Sequence, residues 1–146
     1  MISTLLIAWC LLALTVTIHA AGLSAMFRRI VSSPVLTSPK SWRATWELVR
    51  YAWWLVLLHL AEIAVWALFY WWQKCFPDAE SSFYFSAVTY TTVGYGDLVL
   101  PPEWRMIGAV EGLAGILMSG LSTGFFFAVV SRMYASSLKD RTDVTQ

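Results

Sequence analysis

Apolar residues fall into four runs separated by polar or proline-bearing connectors. The first covers residues 2–27 and has no formally charged side chain. About 20 apolar residues cross the hydrocarbon of a bilayer, so this run is long enough to span. The same holds for residues 51–72 and 106–131. The third run, 81–91, is too short. It follows Pro77-Asp78-Ala79-Glu80, and Asp78, Ser81 or Ser82 offers a cap for a helix start. A half-membrane helix continuing into extended backbone is tolerated only where protein encloses it or it lines a wet cavity. The pattern predicts an all-α membrane protein in which a re-entrant helix lies between two spanning helices.

The connectors set an orientation. Residues 28–50 hold Arg28, Arg29, Lys40, Arg43 and Arg50 against a single acid, Glu47, so this stretch is expected in the cytoplasm. Pro34 and Pro39 interrupt it, and Trp42, Trp46 and Val49 then recur at helical spacing, as in a short amphipathic helix on the inner surface. The N-terminus and residues 73–105 are then external, and 134–146 form a short cytoplasmic tail. The first run reads as an additional transmembrane or interfacial helix. A cleaved signal peptide would have a basic n-region, and none precedes it. Thr15, Thr17 and His19 suit it to packing beside other helices rather than facing lipid all round.

Composition agrees with a membrane domain: 58% of the 146 residues are hydrophobic and 13% charged. A net charge of +1 gives no case for a nucleic-acid partner. Cys10 and Cys75 are too few and too separated for a disulfide framework. No metal-ligand cluster, nucleophile constellation or phosphate loop is legible, so neither an enzyme nor a bound cofactor is expected.

The chemistry lies in Thr91-Thr92-Val93-Gly94-Tyr95-Gly96-Asp97. Consecutive backbone carbonyls can replace the water shell of a K⁺ ion. To do so they must point inward while the side chains point away, and Gly94 and Gly96 permit the backbone angles this needs. One chain supplies one such loop, and four equivalent loops surround an ion, so a homotetramer is the economical assembly.

Polar groups inside the apolar runs form a second set of candidates. His59 and Glu62 share one helical face, and Glu111 sits in the outer half of the last run. Charges at such depth are costly unless paired, hydrated or neutral. Each acid is therefore a packing group or a titratable group that alters gating. Glu111 lies about 120° around its helix from Leu117 at 100° per residue, so it packs behind the filter if Leu117 faces a cavity. Gly108, Gly112, Gly115, Gly120 and Gly124 allow close helix contact or a bend at an inner gate.

Helix, short helix, filter motif and helix together resemble the pore module of potassium channels, over roughly residues 51–133. The resemblance implies K⁺ bound at Thr92 through hydroxyl and carbonyl, and at Val93, Gly94 and Tyr95 through carbonyls. It implies that Thr91, Gly96 and Asp97 support the filter, that Tyr95 packs on pore-helix aromatics, and that Asp97 sits at the outer mouth. With the spacing, it places Leu117, Leu121, Gly124, Phe125 and Ala128 at the cavity and inner gate. Some relatives carry a glutamate where this chain has Val88, so Asp97 must find another partner: Tyr84, Tyr90 or water. The implied function is passive K⁺ conduction by a multi-pass protein of a bacterial plasma membrane. A non-selective cation channel, or a non-conducting subunit that regulates other channels, remains as an alternative, and control by a separate regulatory subunit stays open.

Overall fold

A computed structural model describes residues 2–31 and 42–143. It contains helices α1 (Ile2–Val31), α2 (Trp42–Trp72), α3 (Ala79–Tyr90) and α4 (Arg105–Asp143), with a 3₁₀ turn at Pro102–Trp104 before α4. Three of these, α1, α2 and α4, are long and apolar enough to cross a membrane. At about 1.5 Å per residue, α3 is about 18 Å long and reaches roughly halfway.

Two boundaries differ from the sequence expectation. The amphipathic stretch around Trp42 and Trp46 is continuous with α2, which carries no glycine or proline along its length and so has no reason to break. Likewise α4 runs beyond residue 131 through Asp143, without a proline to stop it. The proline-bearing break at 32–39 and the end of the tail lie outside the described residues.

Helix α1 docks through one stripe: Ala8, Thr15, His19, Met26 and Ile30 are its buried residues. Spacings of seven and four alternate, a repeat close to the natural helical period, so the stripe stays on one face. That face packs against both α2 and α4. Around the C-terminal end of α3, Trp66, Tyr70, Tyr90, Ile107 and Met118 build the larger apolar core. A second cluster joins Met26 and Ile30 of α1 to Tyr51 and Leu55 of α2 and Val129 and Met133 of α4.

Asp78 caps α3, its Oδ1 accepting from the Ser81 N–H at 2.6 Å. The opposite end of α3 lies directly on α4. A Cβ built on Gly115 would fall 1.8 Å from the Tyr90 carbonyl oxygen, so only glycine admits this approach. Gly115 is therefore a packing glycine, while Gly120 and Gly124 face open space in the protomer.

Candidate functional site

The segment after α3 has alternating backbone handedness. Thr92, Gly94 and Gly96 have φ of 62°, 54° and 77°, whereas Val93 and Tyr95 between them stay at negative φ. In a strand, successive carbonyls point to opposite sides; alternating hand turns them to the same side. Two of the three left-handed positions are glycine, where the conformation is free of strain, and the third is a β-branched threonine held there by its surroundings.

The hold comes from α3. The N–H groups of Thr91 and Thr92 donate to the carbonyls of Ala87 and Thr89 at 3.1 and 3.0 Å. Those of Val93 and Gly94 both donate to Val88 at 3.0 and 3.2 Å. The segment thus turns its donors towards the end of α3. Among the described residues, no hydrogen bond ends on a carbonyl of Thr92, Val93, Gly94 or Tyr95. Residues 91–97 are all exposed in the single protomer, Tyr95 by 72%. The expected packing of the Tyr95 ring is therefore not supplied within one chain.

Asp97 receives a 2.7 Å hydrogen bond from the Tyr84 hydroxyl. That bond holds its carboxyl below the ordinary carboxylate value, and the same contact raises the Tyr84 phenol. Tyr90, the other tyrosine considered for this task, is buried and donates to Glu62 instead. Behind the segment lies a cavity of about 280 Å³, lined among others by Tyr84, Val88, Gly94 and Asp97.

Glu111 is fully buried, so it faces neither lipid nor a central cavity. Its carboxyl accepts from Tyr70 of α2 at 2.7 Å and from Ser86 of α3 at 2.5 Å. It ties α4 to the outer helix and to the flank of the short helix, not to Asp97. On α4, Leu117, Leu121 and Gly124 form an exposed face, as does Phe127. Phe125 is half-buried against the second apolar cluster, so the freely exposed ring on this turn is Phe127.

Glu62 is also fully buried, and its hydrogen-bond partners lie on two other helices. Its Oε1 is 2.8 Å from His19 Nδ1 of α1, and its Oε2 accepts from the Tyr90 hydroxyl of α3. His59 is not its close partner: Nδ1 is 3.8 Å from Oε2 and 3.0 Å from the Tyr90 oxygen. Both histidines turn Nε2 towards Ser122 Oγ of α4, at 3.0 Å for His59 and 3.3 Å for His19. Beside this group the Trp66 indole N–H donates to Thr15 at 3.0 Å. Sequence reasoning singled out His59 and Glu62 but not His19, whose only signal was a polar residue within an apolar run.

Spanning helices that enclose a half-length helix, with a carbonyl-exposing segment at its end, define a pore-loop channel of the membrane. A family model described as an ion channel matches residues 54–132, and the chain belongs to this family of potassium-channel pore modules. Over 74 residues it is 35% identical to the potassium voltage-gated channel protein shk-1 of Caenorhabditis elegans. That alignment takes in 47% of this chain and 14% of the worm protein, so the chain spans well under two thirds of its relative. No solved structure gives a significant match.

Proposed function

We propose that four copies of this chain form a K⁺-selective channel, with the carbonyls of Thr92, Val93, Gly94 and Tyr95 and the Thr92 hydroxyl as ion ligands. The observation that carries this reading is the alternating left-handed backbone at Thr92, Gly94 and Gly96. With the N–H groups of residues 91–94 directed at α3, the carbonyls there are the polar groups left to face an axis. Ions shed part of their water, occupy adjacent carbonyl sites and advance by mutual repulsion, without covalent chemistry. Exposure of the whole segment in one protomer suits enclosure by three others. Thr91, Gly96 and Asp97 support the filter, and Leu117, Leu121 and Gly124 line the cavity below it. The chain sits in a plasma membrane with the basic connector on the cytoplasmic side.

Side-by-side K⁺ and Na⁺ flux from liposomes holding the purified protein tests the proposal. K⁺ flux with little Na⁺ flux is the expected result. Equal fluxes would remove the selectivity, and absence of both would remove the channel reading for the homomeric protein.

A further inference from the structure

We propose that His19, His59 and Glu62 form a binding site for a divalent transition-metal ion, with the Tyr90 hydroxyl as a fourth donor. The ligand atoms, one from each of the three residues, lie within 4.8 Å of one another. Ligands around a tetrahedral ion at about 2.0–2.1 Å are about 3.4 Å apart, so small side-chain rotations on the existing backbone suffice.

Orientation argues for an ion more strongly than proximity does. Both imidazoles point Nδ1 towards the Glu62 carboxylate and Tyr90, and both point Nε2 towards one hydroxyl, Ser122 Oγ. A histidine that gives one nitrogen to a metal carries its proton on the other and donates it to an outer partner. A serine oxygen has two lone pairs and accepts from both. The metal-bound arrangement therefore gives both Nε2–H groups an acceptor and uses both Nδ1 lone pairs.

The metal-free arrangement with an ionised Glu62 and neutral imidazoles is one proton short. Five contacts close a ring: His19 to Glu62, Glu62 to Tyr90, Tyr90 to His59, His59 to Ser122 and Ser122 to His19. Two neutral imidazoles, a tyrosine and a serine supply one proton each, and an ionised Glu62 supplies none. Four protons serve five contacts, so with Glu62 ionised one contact is left without a proton. A divalent ion placed between the two Nδ1 atoms and the carboxylate fills that gap. Two imidazoles with a carboxylate and a phenol oxygen favour zinc or a similar borderline metal over Mg²⁺ or Ca²⁺, which take oxygen ligands alone. His59, 22% exposed, is the entry side; His19 and Glu62 are buried. The site would join α1, α2 and the last residue of α3, and it stands independently of the pore reading.

Equilibrium dialysis of chelator-stripped full-length protein against Zn²⁺ tests this, using Cys10→Ser, Cys75→Ser protein so that thiols hold no metal. One Zn²⁺ per chain is expected. His19→Ala and His59→Ala should each weaken binding more than 100-fold, and Ser122→Ala, which removes only the outer partner, about 10-fold. Zn²⁺ should raise the thermal midpoint of the parent protein but not of the His59→Ala protein, which separates loss of the site from loss of folding. No retained Zn²⁺, or retention by both histidine variants equal to that of the parent, would overturn the proposal and leave a fifth proton, rather than a metal, to close the ring.

Discussion

The Tyr84 hydroxyl and the Asp97 carboxylate meet at 2.7 Å, joining the outer face of α3 to the far end of the proposed filter. Val88, one helical turn on, has no polar side-chain atom to offer Asp97, so among the described residues Tyr84 is the side chain that restrains it, beside the nearby backbone. The Tyr84 bond also depresses the Asp97 carboxyl below its ordinary value of 3.8. A depressed acid contributes stability above its unfolded pKa and loses it as pH falls through the folded one. The bond is therefore intact at neutral pH and lost only in strong acid. In Tyr84→Phe the carboxyl should titrate at higher pH, closer to an ordinary aspartate. Carboxyl NMR of labelled aspartate reads the shift directly.

Gly96→Ala should lower K⁺ over Na⁺ selectivity at least tenfold. The position has φ of 77°, and a Cβ there meets nothing within 4 Å in the protomer. The cost is thus conformational, about 1–2 kcal/mol for a left-handed L-residue. That is enough to turn carbonyls off the shared side. Reversal potentials under bi-ionic conditions measure the change.

Gly115→Ala should destabilise the fold by about 3 kcal/mol or prevent it, at the upper end of overpacking costs. Its Cβ would collide with the Tyr90 carbonyl, which is backbone and cannot rotate away. Gly124→Ala meets no atom within 4 Å in the protomer and serves as control. Thermal unfolding in detergent compares the two.

Glu111→Ala leaves the Tyr70 hydroxyl without its acceptor in a buried site, while Ser86 keeps the Ile63 carbonyl at 2.9 Å. One orphaned group costs about 1–3 kcal/mol, so a clear drop in thermal midpoint is expected. Glu111→Gln keeps the volume and one acceptor and should recover most of the loss. Equal damage from both would mean that the charge, rather than the hydrogen bonds, matters here.

Much of the proposed pore was readable along the chain because its determinants are local. Apolar runs of spanning length need no partner to be recognised, and Asp78 caps α3 through a contact three residues away. The conformation of the proposed filter is likewise written in contiguous residues, glycines at alternate positions next to a helix end. Helix limits were less legible: where no proline or glycine intervened, α2 and α4 ran on past the change in polarity.

Contacts across helices were decided by packing alone. Nothing in the order of residues chooses Tyr84 over Tyr90 for Asp97; the choice follows from Tyr90 facing inward, where its hydroxyl donates to Glu62. His19 and Glu62 are 43 residues apart on different helices, and His19 and Ser122 are 103 apart. A helix fixes which of its own residues share a face, so His59 and Glu62 could be paired by spacing. The rotation and height at which α1 docks are set by its whole buried stripe against two other helices. Only that docking brings His19 to them.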